Sequence, residues 1–318
     1  GGDGLVVSYM DKIMNDYSAQ QLTPSLGAEI TGIDLSNDLS NEQLNQIYDD
    51  LIKYNVIFFR NQKISPEKHI EIAKSLGTIE DPHPIYPHVE GFPEIVKLEN
   101  NKDNPPDTDE WHTDLTFKND PPFATVLCSK VIPPVGGDTL WSSLSKIYDA
   151  LPDEMKKNLE TLRSIHDMGS FRNNYMQEDD IESANKLNKG FEEFGNAVHP
   201  VVKIHPISKK KFLYINPSFT SQIVGMTTTD SNNLLSYLFN FMNKPEFQIR
   251  FQWTSDTLAV WDNRCTMHYA IGDYMPHQRI MNRITVLSDK NMVIKYLMSN
   301  LRNKDTNTAR FREFSDRI

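Results

Sequence analysis

The sequence predicts an α+β fold in which a jelly-roll barrel of short strands carries helices on its outside. Three observations lead there. Strand-like runs recur and are cut by Pro and Gly, as in "EIVKL", "FATVLCSKVI" and "DTLW". Two amphipathic helices with start signals lie near the N-terminus. A polar helical insert interrupts the strands between about 145 and 195. An ordinary α+β domain is the alternative that pattern alone leaves open.

Each element has its own reason. "LTPSLGAEITGIDLS" (22–36) reads as a strand pair broken by Gly27 and Gly32. "LSNEQLNQIYDDLIKY" reads as a helix. Ser40 and Gln43 have capping-box spacing, and Leu44, Ile47, Tyr48, Leu51 and Ile52 form one apolar stripe. "NVIFFR" (55–60) is a short buried strand. Ser65-Pro66 opens a second helix that Gly77 closes. The clearest part of the insert is "KIYDALPDEMKKNLETL". "FLYIN" follows as a strand. In "DSNNLLSYLFNFMN" helical spacing turns Leu234, Leu235, Leu238, Phe241 and Met242 inward. "FQIRFQW", "DTLAVWD" and "RIMNRITVLS" are three further strands.

Bulk composition excludes several classes of function. The 318 residues carry a net charge of −10, with 38 % hydrophobic and 24 % charged residues. An acidic chain without a Lys/Arg block is a poor partner for nucleic acid or an anionic membrane. No apolar run approaches the ~18 residues of a membrane span. Residues 1–9 read as an expression leader, 10–290 as one domain, and 291–318 as a mixed-charge tail with helical stretches. Cys128 and Cys265 make neither a zinc-finger pattern nor a disulfide framework, which fits a reducing cytoplasm. The sequence leaves the oligomeric state open, homo-oligomer included.

The chemistry gathers around "NPPDTDEWHTDLTF" (104–117). Residues two apart in extended chain share a face, so His112 and Asp114 can aim at one point. One more imidazole would complete the two-histidine, one-carboxylate facial triad of non-haem iron(II) oxygenases, which leaves coordination positions open. His268 is the best candidate, because the buried strand "LAVW" and a turn deliver it. Read alone, that segment favours a core histidine satisfied by hydrogen bonds. Arg279 and Arg283 supply the support. They share one strand face, ~13 Å apart, with apolar Met281 between them. At that spacing they hold two different anions rather than clamping one. A bidentate, charge-assisted pair from one arginine suits the distal carboxylate of a 2-oxo acid, and the other suits an anionic substrate.

Taken together these residues resemble the taurine dioxygenase group of iron(II)- and 2-oxoglutarate-dependent oxygenases. The resemblance runs from "LGAEITGIDLS" to "ITVLSDK" and rests on "HPIYPHVEG", "DNPPDTDEWHTDLTF", "PPVGGDTLW", "KPEFQIR" and "WDNRCTMHYAIGDYMPHQRIMNR". It implies a double-stranded β-helix, a form of jelly roll, using iron(II), 2-oxoglutarate and O2. By resemblance His112, Asp114 and His268 are the iron ligands, and Arg279 and Thr139 hold the distal carboxylate of 2-oxoglutarate. Arg283, helped by His83, anchors a sulfonate. Tyr86, Asp107 and Thr108 lie near the substrate amine, and Phe219 is an aromatic wall. The implied reaction hydroxylates the carbon next to the sulfonate of taurine or a related alkylsulfonate. It releases sulfite, an aldehyde, succinate and CO2. A related oxygenase acting on a small carboxylic acid is the alternative. Two departures bear on the substrate. Thr108 stands where the group usually has asparagine, and "MGSFRNNY" differs where the group places an aromatic lid, a role open to Phe171.

Overall fold

The computed structural model describes residues 16–82, 87–107, 110–168 and 196–292. The leader, His83, Tyr86, Thr108, Phe171 and nearly all of the tail lie outside the described residues.

The N-terminal part holds β1 (Ser18–Gln21), β2 (Ala28–Thr31), α1 (Asn41–Tyr54), β3 (Val56–Phe59), α2 (Pro66–Leu76) and β4 (Gly77–Ile79). The capping box forms as expected, with Ser40 accepting from Gln43 N–H and Gln43 reaching back to Ser40 N–H. Ser65 caps α2, with Pro66 in its first turn. The strand pair lies upstream of the expected place. β2 pairs with β1, not with a strand inside 22–36. β1 is polar and largely exposed, so it carries no alternation to read.

Then come β5 (His88–Val89), β6 (Phe92–Asn100), β7 (Ala124–Val131), β8 (Thr139–Ser143), α3 (Leu144–Ala150), α4 (Asp153–Leu159) and β9 (Arg163–His166). The expected helical insert (about 145–195) starts in place, but among its described residues a strand follows the helices, and 169–195 lie outside the described residues. Pro152 splits the helical stretch into two seven-residue helices, and β9 follows. The remainder is β10 (Ala197–Pro200), β11 (Val202–Ile204), β12 (Lys211–Leu213), β13 (Thr220–Ile223), α5 (Thr228–Met242), β14 (Gln248–Phe251), β15 (Leu258–Asp262), β16 (Thr266–Ala270) and β17 (Arg279–Asp289).

These strands make a sheet-rich mixed α/β core. The largest sheet runs β1-β2-β3-β15-β7-β17-β6-β5, with β4 on β17, and a second sheet runs β14-β8-β16. Side-chain alternation sorts the core into layers. On β3, Ile57 and Phe59 face α1 and α2, as do Val260 of β15 and Val126 of β7. Val56, Phe58, Trp261, Leu127 and Met281 point the other way, against Trp141, Ile249 and Phe251 of the second sheet. The second sheet's far side, with Leu140, Met267 and Tyr269, is covered by α3 and α5. His268, Trp141 and Thr139 therefore face the interior between the two sheets, and so do Arg279 and Arg283, which alternate with Met281.

One buried imidazole in this core gives a stability prediction. His69 on α2 is 2 % exposed and donates Nε2–H to Val126 O at 3.0 Å. Burial lowers its pKa to about 4. The unfolded chain binds this proton first, so stability present above pH ~6.5 is lost as pH falls toward 4. The contribution is about 2–3 kcal/mol by pH 4.5. His69→Gln is expected to flatten the fall in the urea midpoint between pH 6.5 and 4.5. An equally steep fall in the variant would refute the assignment.

Candidate metal centre

Two strands and a loop build the centre. His112 N–H donates to His268 O at 3.0 Å, and His268 N–H donates to His112 O at 2.8 Å. This two-bond bridge brings the imidazoles together with ring centroids 4.2 Å apart. Asp114 Oδ1 lies 3.3 Å from His112 Nε2 and 3.5 Å from His268 Nε2. One ligand atom from each of the three residues falls within 4.8 Å of the others. The side chains are 18 %, 21 % and 10 % exposed, a half-open arrangement.

The residues around the trio fit a divalent ion. His112 donates Nδ1–H to Glu110 O at 2.9 Å, which leaves the Nε2 lone pair facing Asp114. Asp114 N–H donates to Asn263 Oδ1, and Asn263 Nδ2 donates back to Asp114 O. Thr113, between the two ligands, is tied to Thr266 O at 2.9 Å. Leu115 follows Asp114 at φ 57, a left-handed conformation that costs a leucine ~1–2 kcal/mol. Burial pushes the Asp114 carboxyl up, but His268, His112 and Arg283 outweigh it and hold the group well below the usual carboxylate range. Burial takes His268 down to about 3, so its ring is neutral and able to ligate.

Arg279 lies farther along the interior face. It is 8 % exposed, and its Nε has no hydrogen-bond partner among the described residues. Burial lowers its pKa, yet a guanidinium stays charged at neutral pH. Its Cζ is 6.0 Å from the ring centroids of both Trp253 and Tyr274. A buried cation with no carboxylate in salt-bridge range among the described residues suits an anionic ligand. Thr139 stands on the other side of Trp253, whose Nε1–H donates to Thr139 Oγ1 at 2.9 Å. That bond turns the threonine's own proton away from Trp253. Gly137 sits beside them at φ +78, a conformation that side-chain-bearing residues rarely adopt, and a Cβ there would lie in ordinary contact, 3.4 Å from Arg279, Pro133 and Tyr274.

Of the other site residues expected from the sequence, Phe219 is 9 % exposed and edge-on to His112, with centroids 6.3 Å apart. Arg283 acts electrostatically on both Asp114 and Glu80. Asp107 is exposed and acts on Tyr274. Trp253, Tyr274, Asn263 and the Glu110 carbonyl were not anticipated. Glu110 stands two residues before His112, and Asn263 and Tyr274 lie inside the quoted "WDNRCTMHYAIGDYMPHQRIMNR", whereas only the tertiary fold brings Trp253 to the site.

A second His/Asp/Cys group lacks these properties. His205, Asp262 and Cys265 also lie close together and are buried. Both nitrogens of His205 are already engaged. Nδ1 accepts from Ile207 and Ser208 N–H, and Nε2–H donates to Asp262 at 2.8 Å. Arg264 binds both oxygens of Asp262 and reaches Asp289, to which Tyr48 also donates. The cation in this group is Arg264, and the network pins the β15–β16 turn to β17 and α1.

Known proteins share this architecture. A family model described as "Taurine catabolism dioxygenase TauD, TfdA family" matches residues 18–285. An α-ketoglutarate-dependent sulfate ester dioxygenase of Pseudomonas putida is 35 % identical over 275 residues, 83 % of this chain and 87 % of that protein. An alkylsulfatase of Acinetobacter baylyi is 33 % identical over 271 residues, 85 % of this chain and 84 % of that one. The crystal structure of a taurine dioxygenase from Burkholderia xenovorans superposes with a TM-score of 0.74 at 31 % identity. It covers 86 % of this chain and 90 % of that chain.

Proposed function

Because this chain belongs to the taurine catabolism dioxygenase TauD, TfdA family and is a 2-oxoglutarate-dependent dioxygenase, we propose that it oxidises the carbon bearing the sulfur oxyanion of a small organic substrate. The observation that carries the reading is the pairing of the His112/Asp114/His268 cluster with Arg279, a buried cation with no carboxylate partner among the described residues. The facing sheets with their non-sequential strand order support a double-stranded β-helix core.

Iron(II), when bound with 2-oxoglutarate and O2, would supply oxidative decarboxylation of the co-substrate to succinate and CO2, with one oxygen atom entering a substrate C–H bond. The chain's own work is positioning. His112, Asp114 and His268 would hold the iron with one ligand atom each. Arg279 pairs with the distal carboxylate of 2-oxoglutarate, and Thr139 donates its hydroxyl proton to the same group. Arg283, with His83, takes the substrate's oxyanion. Phe219 walls the substrate beside His112. Tyr86, Asp107 and Thr108 are the residues proposed for an amine end. Because the bound oxidant would be strong, orientation by these contacts selects the C–H bond. With a sulfonate, hydroxylation gives an α-hydroxysulfonate that breaks down to sulfite and an aldehyde.

A second reading takes an alkyl sulfate ester at the same anchor. The sulfate ester dioxygenase and alkylsulfatase relatives favour it. Hydroxylation next to the ester oxygen would then release sulfate and an aldehyde. One experiment separates the readings. Succinate, sulfite and sulfate are measured with iron(II), 2-oxoglutarate and a panel of taurine, alkylsulfonates, alkyl sulfates and carboxylic acids. Sulfite release with sulfonates is the expected result, and sulfate release alone selects the ester. Succinate formed only with carboxylates would overturn both, and turnover that persists under nitrogen would overturn the oxygenase assignment for this site.

A further inference from the structure

Asn263 lies in the turn between β15 and β16 and is fully buried beside the loop that carries His112 and Asp114. Its amide behaves as a one-residue strand. Oδ1 accepts Asp114 N–H at 2.9 Å while Nδ2 donates to Asp114 O at 3.0 Å and to Pro122 O at 3.2 Å. Its own N–H donates to Phe123 O at 2.8 Å. The flanking residues are fixed as well: Asp262 by His205 and Arg264, and Arg264 by Asp289. The amide is thus a rigid arm reaching across 149 residues of sequence to the peptide of one candidate ligand.

We propose that Asn263 is a positioning residue for the metal centre, setting where the Asp114 carboxylate stands relative to His112 and His268. The two histidines are registered to each other by their backbone bridge, which does not include Asp114. Leu115, in its left-handed conformation, gives the loop a reason to relax once unclamped. Asn263 supplies the restraint through both polar atoms of the Asp114 backbone and leaves the carboxylate available for the ion. Partners that orient a ligand without touching the metal typically govern affinity by about 10–100-fold.

The inference rests on the metal-centre reading above, and its test separates the two. Metal-free protein is titrated with Mn(II), with unbound Mn(II) followed by its electron paramagnetic resonance signal and no turnover required. Asn263→Ala is expected to weaken the apparent Mn(II) Kd about 10-fold or more. Tyr17→Phe, which removes a part-buried hydrogen bond to Asp50 outside the Asp262–Arg264–Asp289 network, is expected to lower the melting temperature without moving the Mn(II) Kd. Wild-type protein that fails to bind Mn(II) would overturn the metal reading and this inference with it. Wild-type binding with an unchanged Kd in Asn263→Ala would overturn the inference alone, as would an equal weakening in Tyr17→Phe. Should Asn263→Ala not fold, Asn263→Asp keeps the shape and the Oδ1 acceptor but cannot donate. Weaker Mn(II) binding there, against the attraction of the added carboxylate, supports the role, and equal or tighter binding refutes it.

Discussion

Arg279→Ala is expected to raise the KM for 2-oxoglutarate by at least about 100-fold, the largest single effect on co-substrate use. Each charge-assisted hydrogen bond contributes ~1.5–3 kcal/mol, and a bidentate pair makes two of them. At ~1.4 kcal/mol per tenfold, the lost pair corresponds to about 10²–10⁴ in affinity. Burial strengthens the case, because among the described residues no other cation lies over the Trp253 or Tyr274 ring. Arg279→Lys should recover only part of the loss, since an ammonium cannot reproduce the planar fork. Arg283→Ala is the necessary companion. It should raise the KM for the sulfur oxyanion and leave that for 2-oxoglutarate nearly unchanged. Steady-state kinetics with each substrate varied in turn checks both, and a common effect of the two changes on one ligand would refute the two-anion arrangement.

His268→Ala is expected to abolish retention of iron(II) and with it substrate-dependent succinate formation. The loss should exceed the ~10–100-fold that follows removal of a partner outside the coordination sphere. The metal-free fold should suffer far less. His268 Nδ1 makes no hydrogen bond among the described residues, and the backbone bridge to His112 does not use the side chain. Wild-type protein at metal 100-fold above Kd gains ~2.7 kcal/mol and melts several degrees higher. The variant should show no such rise. A metal-dependent rise of wild-type size in His268→Ala would show that the ion sits elsewhere.

What the sequence disclosed was governed by local rules. Spacing alone related His112 to Asp114, two apart in a loop, and Arg279 to Arg283, four apart on β17. Capping chemistry placed the starts of α1 and α2. β1 was illegible because an exposed polar strand has no alternation, and the break at Pro152 and the strand β9 were hidden within a continuous polar pattern. Asn263 and Trp253 escaped for a different reason. Each acts through one hydrogen bond or one amide–peptide pair to a segment more than a hundred residues away, and no local spacing encodes such a contact. His205 and Asp262 show the converse. Their side chains are metal-competent by type, and only the surrounding donors reveal that every coordinating position is already used.

The bridge between residues 112 and 268 also sets an order of events during synthesis. Asp114 leaves the ribosome 149 residues ahead of Asn263, and His268 comes later still. At about 5–20 residues per second, that interval lasts roughly 7–30 s. Throughout it the proposed centre has only one of its histidines and its carboxylate, too few donors to retain a scarce cation. Loading of the proposed centre is therefore expected to wait until His268 has emerged.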